Sequence, residues 1–120
     1  MNFGEHAAHP RNMKALECPT GVGRAQVEGD TVSLSIAIKA IDGVIVETSF
    51  ESFLCGFAIG VCSVLTERIK GMTLGDAESV TAKDLVELCE GLPEGRRHYA
   101  NTATAALRAA LNHDASNPPN

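Results

Sequence analysis

The residue with the most chemistry in this chain is Cys55. It stands where an alternating, strand-like run gives way to a long apolar run, and Gly56 follows it. A thiol at the start of a helix meets free backbone N–H groups and a partial positive charge, which lower its pKa and favour the thiolate. A thiolate there serves as a metal ligand or a nucleophile. Cys62 lies two helical turns further on, ~10.5 Å along the axis, too far to share an ion or a disulfide with Cys55. Cys62 and Cys89 read as small buried hydrophobes, and Cys18 falls in an irregular stretch that assigns it no place. No C-x-x-C pair occurs. Glu28 and Asp30 flank Gly29 at a turn, where carboxylates are either ligands or a solvated acidic tip. His98 follows Gly95-Arg96-Arg97 at the start of a helical pattern, as a ligand or a surface histidine. His6 and His9 add little weight by themselves as metal ligands.

These residues must be positioned by regular elements. Residues 1–20 show no sustained period and read as a short turn or helix followed by a loop. A weak alternation begins near Gly23, and Gly29-Asp30 makes a turn. Val32, Leu34, Ile36 and Ile38 alternate with Ser33, Ser35, Ala37 and Lys39, the pattern of a half-buried strand. Asp42-Gly43 is a hairpin turn, and a third strand runs from Val44 to about Phe53. Residues 23–53 are therefore expected to form a three-stranded antiparallel meander with one wet face. From Cys55 to Lys70 the period changes to that of a buried helix, with Gly71 as its C-cap. Thr73 is placed to cap a helix over 74–79. Thr81 with Asp84 makes a capping box for a helix over 82–90. An alanine-rich helix runs from about Arg97 to Asn112, with Ala103, Leu107, Ala110 and Leu111 on one side. Strands first and helices after predict an α+β fold with the helices on one face of an antiparallel sheet. Residues 1–112 are expected to be one domain and 113–120 a disordered tail.

Composition narrows the partners. The chain has 120 residues, a formal net charge of −5 and 44% hydrophobic residues. That suffices for one core, with roughly two-thirds of the unfolded surface buried. The acidic excess is spread over both halves, and Arg96-Arg97 is the one adjacent basic pair. Nucleic-acid binding needs several cations on one face, so it is excluded as a reading. The sequence lacks an apolar run of membrane-spanning length and a signal-peptide pattern, which predicts a cytoplasmic protein without a membrane partner.

Four motifs in order then resemble one family. His6-Ala7-Ala8-His9-Pro10-Arg11-Asn12 is similar to H-x-x-[NH]-P-R-N. Ile36-Ala37-Ile38-Lys39 with Gly43 fits the family's sheet. Phe53-Leu54-Cys55-Gly56-Phe57-Ala58-Ile59 resembles F-G-C-G-x-A-I. Thr66-Glu67-Arg68-Ile69-Lys70-Gly71-Met72-Thr73-Leu74 resembles T-E-x-[IV]-K-G-K-T-L. From His6 to about Leu111 the chain resembles the iron–sulfur cluster assembly scaffolds of the IscU type, which form the N-terminal domain of NifU. The resemblance implies a cluster site of three cysteines with a nearby aspartate and histidine. Here C-G-D reads Glu28-Gly29-Asp30, G-C-G keeps Cys55, and H-C reads His98-Tyr99. The chaperone-recognition segment L-P-P-V-K reads Leu92-Pro93-Glu94-Gly95-Arg96. One of three thiolates survives beside the aspartate and the histidine.

The resemblance implies a non-enzymatic scaffold or metal carrier. Its cargo would be a transient iron–sulfur cluster or a single zinc or iron ion, held by Cys55, Asp30, His98 and Glu28. One thiolate with carboxylates and an imidazole suits a single divalent ion better than a cluster. A cysteine desulfurase and apo acceptor proteins are the implied partners, and the reading admits a homodimer. A paralogue that acts only as a protein-interaction module is the alternative. A Cys55–His98–Asp30 thiol enzyme ranks last, since no oxyanion-hole pattern accompanies it.

Overall fold

A computed structural model describes residues 3–14, 16–26, 33–52, 56–90 and 92–112. The pattern of Leu34, Ile36 and Ile38 makes the middle strand: all three side chains are buried, while Ser35, Ala37 and Lys39 on the opposite face are half-exposed. Val32 lies outside the described residues. The sheet has the order β1–β2–β3, with β1 Gly21–Gln26, β2 Ser33–Ile41 and β3 Val44–Ser52, and both pairings are antiparallel. The β2–β3 turn is Asp42-Gly43 with φ of 53° and 78°. Two positive φ values match the right-handed twist of the flanking strands, and Asp and Gly tolerate them. The register slips by one residue between Lys39 and Ala40. This bulge leaves both Val46 and Glu47 exposed.

The first strand begins at Gly21, two residues before the expected start. Its core-facing residues Gly21, Gly23 and Ala25 pair with Ile38, Ile36 and Leu34. They are too small to produce a hydrophobic alternation, which is why the sequence signal there is weak. Phe53, the expected last residue of the third strand, lies outside the described residues.

The helices are α1 Phe3–Ala8, α2 Gly56–Ile69, α3 Leu74–Glu78, α4 Ala82–Leu88 and α5 His98–Asn112, with a 3₁₀ turn over Glu94–Arg96. α2 packs on β3 and α5 on β1 and β2, so the helices cover the core face of the sheet. α2 is apolar nearly all round and is buried from Val61 to Thr66. It ends at Ile69, before Gly71 with φ of 91°. Thr73 accepts a hydrogen bond from Asp76 N–H at 3.1 Å. In the capping box Asp84 N–H donates to Thr81 Oγ1 and Thr81 N–H to Asp84 Oδ2, each at 3.1 Å. The Thr81 N–H, followed by the Thr81 hydroxyl, holds the Asp84 carboxyl below its usual range. α4 stops at Leu88, short of the expected residue 90, because Cys89 leaves the helical region with ψ of 55°.

The closest packing joins α5 to β1. A carbon atom added at Gly23 would overlap the backbone of Ala106, Ala109 and Ala110. Glycine on the strand and alanine on the helix therefore set the helix–sheet distance. Opposite the helices, Lys14, Leu16 and Pro19 lie over the outer face of the sheet, beside Ala37 and Ser49. Phe50 N–H donates to Asn12 O at 2.9 Å and Thr20 N–H to Ile38 O at 2.8 Å. This segment corrects the expectation of a wholly wet outer face: Ser49 beneath it is buried. The expected tail over 113–120 lies outside the described residues.

Candidate functional site

The ends of the described elements define the frame of the site. Gln26 pairs with Ser33 at this end of the β1–β2 hairpin, and Glu28 and Asp30 fall between these two residues in sequence. On the neighbouring rung Leu34 pairs with Ser52, after which the chain passes through Cys55 to α2. Both segments thus leave the sheet at the same end. Phe57, in the first turn of α2, lies beneath the Arg96 guanidinium, with 5.5 Å from its central carbon to the ring centroid. This contact brings the start of α2 to the 3₁₀ turn that leads into α5, whose first residue is His98. His98 is exposed, and its ring centroid is 4.1 Å from that of Tyr99. Glu28, Asp30 and Cys55 themselves lie outside the described residues. Among the described residues no group of three or more His, Cys, Asp or Glu side chains is placed to hold a metal ion.

The other cysteines separate clearly. Cys62 and Cys89 are buried, and burial pushes both thiols up to about 12. At neutral pH they are protonated core residues, in agreement with their reading from sequence. Cys18 is exposed, with φ of 50°. Tyr99 stands where the resembled family has a cysteine, and it is 7% exposed and packed into the core. It contributes volume to the domain.

The sequence reading missed a polar clamp between the N-terminal segment and α2. His6 is buried, and its Nδ1 is 2.7 Å from Ser63 Oγ. Arg11 N–H donates to the same oxygen at 2.7 Å. Asn12 Nδ2 donates to Thr66 Oγ1 at 3.2 Å and to Glu67 Oε2 at 3.1 Å, and Lys70 Nζ donates to Asn12 Oδ1 at 3.0 Å. Thr66 Oγ1 donates back to Cys62 O at 2.7 Å, and Thr48 Oγ1 donates to Thr66 O at 2.9 Å. Burial lowers the His6 pKa, reinforced by Arg11 and opposed by Glu67 and Glu5. The Asn12 hydrogen bond, followed by the nearby Lys70 charge, lowers the pKa of Glu67. His6 is therefore a structural histidine. The motif around Pro10-Arg11-Asn12 carried the only signal, because the partners lie more than fifty residues away in sequence.

An antiparallel three-stranded sheet with helices packed on one face describes an α+β domain. The profile of the NifU-like N terminal domain matches residues 2–117, and the chain belongs to that family. It is 36% identical over 109 residues to the iron–sulfur cluster assembly scaffold protein IscU of Aquifex aeolicus, covering 89% of this chain and 69% of that one. It is 40% identical over 83 residues to the nitrogen fixation protein NifU of a Nostoc species, covering 69% of this chain and 28% of that longer protein. Among solved structures, a protein of Fervidobacterium islandicum assigned to the cluster assembly scaffolds of the SUF system superposes with a TM-score of 0.76. The match covers 92% of this chain and 93% of that one at 14% identity. A NifU-like N-terminal domain from Brucella abortus gives 0.62 at 17% identity, covering 92% and 87%. No helix among the described residues is long and apolar enough to cross a membrane.

Proposed function

We propose that this protein is a non-enzymatic scaffold of iron–sulfur cluster assembly, working through Cys55. The observation that carries the reading is the juxtaposition of two helix starts. α2 begins just after Cys55, α5 begins at His98, and the Phe57–Arg96 contact ties the two starts together. Membership of the NifU-like N-terminal family supports the same assignment. In this reading Cys55 is the thiolate ligand and persulfide acceptor, Asp30 and His98 complete the donor set, and Glu28 replaces a family cysteine. Iron, alone or as a cluster, is cargo. Clusters are normally bound by thiolates, so a set with one thiolate holds a [2Fe–2S] cluster briefly and a single zinc or iron ion more firmly. The burial of Tyr99 supports that view, since a phenol packed in the core is not a free replacement for the third thiolate. A sulfur-donating cysteine desulfurase and apo acceptor proteins are the proposed partners, in a compartment that keeps thiols reduced, such as the cytoplasm. A homodimer would let two chains pool their thiolates. Residues 1–112 are proposed as the functional domain.

The test is anaerobic loading with iron and sulfide, and separately with Zn²⁺, followed by metal and sulfide analysis per chain. The expected result is about one ion per chain and a short-lived visible absorbance. Cys55→Ser abolishes both, while Glu28→Cys prolongs the absorbance. Equal metal content with and without Cys55 would overturn the proposal. It would leave the interaction-module reading in its place.

A further inference from the structure

The outer face of the sheet holds a groove of about 160 Å³ between the strands and the segment that carries Lys14. Register defines its floor. Arg24, Ser35 and Glu51 form one cross-strand row, and Val22, Ala37 and Ser49 form the next. Arg24 and Glu51 therefore stand two strand spacings apart, ~10 Å between Cα atoms. Lys14, Arg24 and Glu51 are exposed, and among the described residues none of them is ion-paired. Ser49 is only 2% exposed, and its hydroxyl has no hydrogen-bond partner among the described residues. Every fully buried polar side-chain atom among them does have one. The small exposure left to Ser49 is thus its hydroxyl, open to the groove that the residue lines.

The charges select the ligand. Two cations and one carboxylate make this groove locally positive on a chain whose formal net charge is −5. A simple anion would gain from Lys14 and Arg24 but meet Glu51, and a simple cation would meet the reverse. A molecule with a carboxylate at one end and an ammonium at the other satisfies all three groups. The Arg24 fork matches a carboxylate with two parallel hydrogen bonds, Glu51 accepts from the ammonium, and the Ser35 and Ser49 hydroxyls donate or accept as needed. Size sets the class. An engineered cavity of about 150 Å³ holds benzene, with its six heavy atoms, so the groove has room for about as many. We propose that this groove binds a small zwitterion, a free α-amino acid with a short side chain. The inference concerns the outer face and does not depend on metal at Cys55.

The test is an amide-resolved NMR titration of the full chain with L-alanine, propionate, ethylammonium and inorganic phosphate in parallel. L-Alanine is expected to shift the amides of Arg24, Ser35, Ser49 and Glu51 saturably, with propionate and ethylammonium each at least ~10-fold weaker, the value of one lost hydrogen bond to a charged group. Arg24→Gln should weaken L-alanine at least ~10-fold, with Arg24→Lys intermediate. Glu51→Gln should bring L-alanine down to the level of propionate while leaving propionate no weaker. The same spectra report whether each variant is folded, and Cys55→Ser should leave the titration unchanged. Absence of saturable shifts, shifts centred elsewhere, equal binding of L-alanine and propionate, or tighter binding of phosphate would each overturn the proposal.

Discussion

The two long helices are attached to the domain by opposite means. α5 lies on β1 through residues with almost no side chain: Gly23 faces the backbone of Ala106 and Ala110 so closely that one added carbon does not fit. α2 is tied from its outer side by the N-terminal segment through a run of hydrogen bonds: His6 and Arg11 to Ser63, and Asn12 to Thr66 and Glu67. The first contact depends on volume and is indifferent to protonation. The second depends on donors, acceptors and charge, so pH acts on it. α5 begins at His98 and α2 begins one residue after Cys55 in sequence, so each attachment bears on the proposed site from a distance.

The largest effect is expected where volume is decisive. Gly23→Val should cost about 3 kcal/mol or more, because the helix must lift off the strand as a unit. Denaturant unfolding checks this, and a midpoint equal to that of the parent would remove the close approach as the basis of the α5 contact. Next is Ser63→Ala, which leaves a buried imidazole nitrogen and the Arg11 N–H without a shared partner. About 2 kcal/mol is expected from that loss, with hydrogen exchange accelerating across residues 3–12 ahead of the sheet. Uniform acceleration over the whole domain would mean that the clamp is no separate unit.

Acid should then distinguish the two attachments. Burial holds the folded pKa of His6 below the ordinary histidine value of 6.5. The unfolded chain therefore binds more protons between the two values, and stability rises with pH there. Its contribution is whole above about pH 6.5 and declines as pH falls towards the folded value. Glu67, also lowered, adds a loss at more acidic pH, below its usual value of 4.5. Melting temperature should fall from pH 7.5 to 5 in the parent, and the slope should flatten in His6→Gln. An unchanged slope in His6→Gln would assign the acid sensitivity elsewhere. The smallest effect concerns the bridge between the helix starts. Arg96→Ala removes an exposed cation–π contact worth about 0.5–1 kcal/mol, so the melt should barely move. A change larger than that of Ser63→Ala would make the Phe57–Arg96 contact a principal support of the fold.

Much of the domain was legible from its residues alone. Leu34, Ile36 and Ile38 announced the central strand because alternation is a local property of a half-buried strand. Asp42-Gly43, Thr73, Gly71 and the Thr81–Asp84 box marked element ends because caps and turns are satisfied within a few residues. β1 was faint for the opposite reason: its core-facing residues are small, Gly23 being fitted to a helix more than eighty residues away, and smallness carries no period. The roles of His6, Ser63 and Asn12 were likewise hidden, since no local pattern tells a buried structural histidine from a ligand. Of the candidate site, His98 is described at the start of α5, while Cys55, Asp30 and Glu28 fall outside the described residues.

Sequence by itself determined the fold class, the order of elements, most helix ends and the family, all of which rest on local periodicity, capping chemistry and motif spacing. Tertiary structure alone decided how closely α5 approaches β1, that His6 is locked against α2, that Tyr99 serves the core, and that Ser49 opens onto an outer groove. Each of these is a relation between residues far apart in the chain. Burial and hydrogen bonding are properties of such relations, and a one-dimensional pattern records only one partner at a time.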